Sequence, residues 1–133
     1  MPQKITTFLM FNGQAEGAMS FYLSLFRGAH VVSIERYGPQ GPGTEGSVMK
    51  AEFSLGGQSF YCIDSNTEHA FGFTPAMSLF VHCESESEIE YLFRKLSDGG
   101  QVLMPLGDYG FSVRFGWVAD RYGVSWQLNL PRA

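Results

Sequence analysis

Few residues of this 133-residue chain could do chemistry, and they are scattered. The three histidines, His30, His69 and His82, are widely spaced and fall in different predicted elements, so each reads first as a surface or hydrogen-bonded histidine. Lys50 and Glu52 are two residues apart on a predicted strand and so share a face. An ion pair on a solvated face is the ordinary reading. A general base at Glu52, its pKa raised by an aromatic surround, is the sharper one. Arg114 could pair with a ligand carboxylate or phosphonate. Cys62 and Cys83 lie inside predicted strands and not as a close-spaced pair, which reads as two buried, reduced thiols. The richest chemistry is aromatic: 12 Phe, 6 Tyr and 2 Trp offer flat faces on which a small molecule could stack, although aromatic residues at strand spacing also build cores and dimer interfaces.

The elements that position these residues come as a repeat. Residues 78–102 overlie residues 7–31 without a gap at an offset of 71, bringing Phe21-Tyr22 onto Leu92-Phe93, Leu25 onto Leu96 and Gly28 onto Gly99. A second match at an offset of 66 brings Gly57-Gln58-Ser59-Phe60-Tyr61 onto Gly123-Val124-Ser125-Trp126-Gln127. In the first copy a strand over 5–11 leads to Asn12 as a helix N-cap for a helix over about 14–27, in which Ala15, Ala18, Met19, Phe21, Tyr22, Leu25 and Phe26 recur at helical spacing until Gly28. Strands are predicted at 29–36, 47–55 and 58–64, the last two joined by a Gly56-Gly57 hairpin turn. Six of the residues in the loop Tyr37–Gly46 are Gly or Pro, which suits either a mobile lid or a plain connection. The second copy has a strand at 77–83, a capping box at Ser85–Glu88, a helix with Ile89, Leu92, Phe93 and Leu96 on one face, and strands near 101–104, 111–119 and 123–130. The fold class is therefore α+β, two βαβββ modules in tandem, and two such copies predict a site between them.

Composition bounds the partners. A net charge of −4 with no Lys/Arg cluster gives no footprint for nucleic acid or an anionic membrane. No apolar run approaches the roughly 20 residues of a membrane span. The opening Met1-Pro2-Gln3-Lys4 passes into strand-like sequence without a signal-peptide core, so cytoplasm is the expected location.

The order βαβββ–βαβββ, with Phe21-Tyr22 in the first helix and the ending Asp120-Arg121-Tyr122-Gly123-Val124-Ser125-Trp126-Gln127-Leu128, resembles the vicinal oxygen chelate superfamily of glyoxalases, bleomycin resistance proteins and extradiol dioxygenases. Phe11-Asn12-Gly13-Gln14-Ala15-Glu16 followed by Phe21-Tyr22 is similar to its PhnB-like branch, often labelled a 3-demethylubiquinone-9 3-methyltransferase family. That branch usually has Pro-Phe where this chain has Arg121-Tyr122. The resemblance covers about residues 4–130 and implies one glyoxalase-like domain over 1–133, with module one at about 4–65, a linker at about 66–75 and module two at about 76–130. Each module is expected to curl into a half-barrel sheet with its helix on the convex face.

Metal-dependent members carry His, Glu or Gln ligands on the first and last strand of a module. The matching positions here are Thr7, Tyr61, Ser78 and Gln127, a set with one neutral amide and no carboxylate, imidazole or thiol. The resemblance thus implies a cleft with no metal and no cofactor. The methyltransferase label fits poorly, because Gly56-Gly57 joins two strands and the Gly38–Gly43 stretch is broken by two prolines, so neither aims a helix N-terminus at a methyl donor. Strand alternation is expected to bring Leu9, Phe11, Ser59, Tyr61, Ile63, Phe80, Ser125 and Gln127 to the concave side, and Phe8, Met10, Phe60, Cys62, Leu79, Val81 and Trp126 under the helices. Arg114, Trp117, Tyr109, Phe111 and Phe115 join the cleft lining. The expected ligand is a small amphipathic or aromatic molecule held by Thr7, Tyr61, Ser78, Gln127, Arg114, Phe11, Phe80 and Trp117. Enzymes using side-chain acid/base chemistry or a metal at other residues, and proteins keeping the fold for dimerisation, are the alternatives. Superfamily members commonly pair, so a homodimer is expected.

Overall fold

A computed structural model describes residues 3–132. The chain divides into two compact units at Ala70/Phe71, each with one four-stranded sheet and one helix. The first unit runs β1 (Thr7–Phe11), α1 (Ala15–Leu25), β2 (His30–Arg36), β3 (Val48–Leu55), β4 (Gln58–Asp64). The second runs β5 (Ser78–His82), α2 (Glu86–Ser97), β6 (Gln101–Gly107), β7 (Arg114–Ala119), β8 (Ser125–Leu130). The sheet orders are β1-β4-β3-β2 and β5-β8-β7-β6. In each, the first strand is parallel to the last and all other pairs are antiparallel. The tandem βαβββ arrangement follows, with both sheets open.

Each helix covers one face of its sheet. On α1 the buried positions Ala15, Ala18, Met19, Tyr22 and Leu25 form one stripe, which packs on β3 and β4. Beneath it lie Val48, Ala51, Phe53 and Cys62, all fully buried. On α2 the stripe is Ile89, Leu92 and Leu96, set against β6, β7 and β8, with Trp126, Val118 and Leu128 below. The N-cap half of the predicted capping box forms, with Glu88 N donating to Ser85 Oγ at 3.1 Å, while Glu88 Oε1 reaches one residue further back and accepts from Glu84 N at 2.7 Å. Gly56 and Gly57 have φ of 56° and 82°, the two positive values a type I′ hairpin needs. The Tyr37–Gly46 loop is tied down by its first residue: Tyr37 is buried, its hydroxyl donates to Asp64 O at 3.1 Å, and its ring leaves no room for a side chain at Gly43. No helix among the described residues is long and apolar enough to cross a membrane.

Two expectations fail here. Asn12 does not cap α1. The N-cap position is Gln14 without a side-chain bond, and the cap comes from Asp64, whose Oδ1 accepts from Gly13 N at 2.8 Å and Ala15 N at 2.9 Å. The second failure is the facing of β1. Thr7 pairs with Phe60, Leu9 with Cys62 and Phe11 with Asp64, so Thr7, Leu9 and Phe11 share the helix-side face, where Phe11 is 3% exposed. Phe8 and Met10 are the ones beside Tyr61 and Ile63, and Phe8 is 53% exposed. The cause is the offset between the copies. Phe60 and Trp126 correspond, and their partners are Thr7 and Leu79, so the first strands are related by 72 residues while the helices keep 71. One residue of slip exchanges the two faces of a strand.

Candidate functional site

The side of each sheet away from its helix carries the side chains free to meet a ligand. On the second unit it is built by alternate residues of three strands: Ser78, Phe80 and His82 on β5, Ser125, Gln127 and Asn129 on β8, Phe115 and Trp117 on β7. Four of these join in one hydrogen-bonded web. Trp117 Nε1 donates to Ser125 Oγ at 2.8 Å, Ser125 Oγ lies 2.6 Å from Ser78 Oγ, and Gln127 Nε2 donates to Ser78 Oγ at 3.2 Å. Register makes this possible, because Ser78 stands opposite Ser125, Phe80 opposite Gln127, and Trp117 opposite Gln127 on the other side. Phe80 is 47% exposed, with the His82 ring centroid 5.0 Å away. Tyr109, Phe111 and Phe115 form an aromatic cluster with centroid separations of 5.1–6.3 Å. Ser112 Oγ donates to Asn129 Oδ1.

Four predicted residues, Ser78, Phe80, Trp117 and Gln127, are therefore brought together. Arg114 is not among them. It shares the helix-side face of β7 with Gly116, whose missing side chain makes room for Phe93 of α2, and with buried Val118. Its guanidinium bonds Glu86 and Glu90 of α2 at 3.1 and 2.6 Å, which also holds its pKa above the usual value. Two carboxylates already occupy the charge that was expected to meet a ligand.

The equivalent face of the first unit has different chemistry. Tyr61 stands where Gln127 does, Ser59 where Ser125, Phe8 where Phe80, and Glu52 where Trp117. Lys50 Nζ sits 4.5 Å over the Tyr61 ring, and Glu52 is the cross-strand neighbour of Tyr61. The first face is thus charged where the second is neutral. Thr7 and Phe11, expected here, lie on the other side of β1 as described above. The web's donors were legible as types. Its partner set was not, since only the register of β5 on β8 and of β7 on β8 makes neighbours of residues as many as 49 positions apart in sequence.

A polar cavity of about 390 Å³ opens at the other end of the first unit, lined by Asn12, Gly13, Thr44, Ser47, Asp64 and Asn66 among others. No predicted site residue lines it. Asp64, 3% exposed, is fully engaged, since its Oδ2 also accepts from Val48 N at 3.1 Å. This bears on the methyl donor that the family label implies. Such a donor needs free N–H groups at a βα turn, and at the β1–α1 turn Gly13 N and Ala15 N already serve the Asp64 carboxylate, so that turn does not fit it. Among the described residues no group of three or more His, Cys, Asp or Glu could hold a metal ion. Cys62 and Cys83 are free and buried, and burial pushes both thiols up to about 12.

Residues 3–129 match the family model described as 3-demethylubiquinone-9 3-methyltransferase. No curated protein matches the chain. Among solved structures, a PhnB protein from Bacillus cereus, described as a candidate 3-demethylubiquinone-9 3-methyltransferase, is 62% identical over 96% of this chain and 99% of its own, with a TM-score of 0.94. Protein PA1353 from Pseudomonas aeruginosa is 27% identical over 99% of this chain and 100% of its own, with a TM-score of 0.85. The fosfomycin resistance protein FosX from Listeria monocytogenes shares the fold, with a TM-score of 0.71 at 13% identity over 99% of this chain and 95% of its own. The chain belongs to the 3-demethylubiquinone-9 3-methyltransferase family, alongside the PhnB protein from Bacillus cereus.

Proposed function

We propose that this protein binds a small amphipathic or aromatic molecule, without a metal, on the open face of its second unit. The observation that carries the reading is the Trp117–Ser125–Ser78–Gln127 web beside the half-exposed Phe80 ring. Few convergent polar groups within an aromatic surround is the composition of a small-molecule site. The ring supplies area for stacking and the web supplies orientation. Phe80, Trp117, Ser78 and Gln127 are the contact residues. Arg114 is outside the site, and Tyr61 belongs to the first unit's face. A homodimer is the assembly that accompanies this reading, since it offers cover for exposed apolar side chains such as Phe8 and Met77, the latter 74% exposed.

The test is ligand-observed NMR with a set of aromatic fragments on chelator-treated protein, repeated on Phe80→Ala, Gln127→Ala and Arg114→Ala. Loss of binding in the first two and retention in the third supports the reading. Binding that persists in Phe80→Ala and Gln127→Ala places the ligand elsewhere. Binding that needs added metal ion overturns the metal-free part.

Acid/base chemistry on the first unit's open face is the second reading, favoured by Lys50 over Tyr61 and by Glu52 beside it. A turnover that Glu52→Gln abolishes and Gln127→Ala leaves intact would select it.

A further inference from the structure

The web on the second unit has a direction, and the direction specifies a ligand chemistry. The Trp117 indole N–H can only donate, and Ser125 Oγ receives it. Ser125 is 1% exposed, so its own proton must go to its other partner, Ser78 Oγ, since an unpaired buried hydroxyl proton is penalised. Ser78 Oγ then accepts from both Ser125 and the Gln127 amide, which uses its two lone pairs. What Ser78 has left to offer is a proton. What Gln127 has left, after donating one amide hydrogen, includes its carbonyl oxygen. The face therefore presents a donor next to an acceptor. None of the β5, β7 or β8 residues on it is Lys, Arg, Asp or Glu, and Arg114 is held by Glu86 and Glu90 on the other side.

We infer that this face selects a neutral planar ligand whose aromatic ring carries a hydrogen-bond acceptor beside a donor, as in a primary carboxamide, lactam or imide, over the matching carboxylate. The inference rests on the binding reading above and narrows its ligand class. A carboxamide places its carbonyl on the Ser78 proton and its N–H on Gln127 Oε1. A carboxylate faces the same Oε1 with an anionic oxygen and finds no Lys or Arg among the β5, β7 and β8 residues of that face to offset its desolvation. Ser125 acts as a positioning residue, because it touches no ligand and sets which way the Ser78 proton points.

Three probes that share a naphthalene ring test this on the full chain by amide and indole NMR: 2-naphthamide, N,N-dimethyl-2-naphthamide and 2-naphthoate. The expected order of affinity at pH 7.5 is carboxamide, then dimethylamide, then carboxylate, with about tenfold between first and last. The Trp117 indole signal, assigned with Trp117→Phe, should shift on binding. Gln127→Leu, which removes the acceptor for the ligand N–H, should erase the preference for carboxamide over dimethylamide while the dimethylamide still binds, and Ser125→Ala, which frees the Ser78 proton to turn away from the shared carbonyl, should weaken both amides alike. Phe80→Ala should weaken all three alike. Equal binding of carboxamide and carboxylate, or a preference for the carboxylate, overturns the inference and leaves a small-molecule site. Failure of all three to bind overturns the site as well.

Discussion

Replacing Asp64 by alanine should rank among the most damaging single changes in the first unit. The carboxylate accepts three backbone N–H bonds, from Gly13, Ala15 and Val48, at 2.8, 2.9 and 3.1 Å. Ala15 and Val48 are fully buried, so water cannot replace the lost acceptor there, whereas Gly13 is exposed and can be hydrated. Two stranded buried donors at about 1–3 kcal/mol each, with a smaller loss at the third, give about 3–5 kcal/mol. That is a large share of the roughly 5–15 kcal/mol that holds a domain folded. For a chain of this size the melting temperature should fall by about 10–20 °C. Asp64→Asn keeps an oxygen for two of the bonds and turns an amide N–H toward Val48 N, so its loss should be about 1–3 kcal/mol. Urea unfolding followed by circular dichroism gives both values, and hydrogen exchange at Ala15 and Val48 localises them. A loss below about 1 kcal/mol in Asp64→Ala, or a larger loss in the asparagine variant, would refute the view that this carboxylate caps α1 and anchors β3.

Gly100→Ala should unfold the second unit or cost it more than about 3 kcal/mol, because its Cβ would meet the backbone of Ala119 and Asp120. Thermal melting checks this, and a near-neutral variant would show that the β6–β7 end can move apart. The two cysteines should resist a thiol reagent in the folded protein and react once it is unfolded. Their folded pKa values are raised from an ordinary 9.0 to about 12, so the stability they contribute is complete below the unfolded value and is lost as pH rises from about 9 towards 12. Cys62→Ala and Cys83→Ala variants should flatten that alkaline decline, and an unchanged pH profile would assign it to other groups.

Sequence alone determined the element order, because helix and strand periodicity and paired glycines are local signals. The Ser85–Glu88 box, the Gly56-Gly57 turn and the stripe Ala15–Leu25 each needed only neighbours within one turn or hairpin. The second unit's open face was legible as well, since Ser78, Phe80, Ser125 and Gln127 keep the alternation that the repeat suggested. Tertiary structure alone decided which face of β1 meets α1. The copies are related by 71 residues in the helices and 72 in the first strands, and a gap-free slide cannot satisfy both, although the match of Phe8 with Phe80 at 72 was a signal. It also decided the partners of the charged groups. Asp64 caps a helix that begins 49 residues earlier, and Arg114 binds carboxylates 24 and 28 residues away on α2. Such bonds depend on sheet register and helix placement, which a side chain's own neighbours do not encode, so a residue's type shows what it can bond and only the packed fold shows what it does bond.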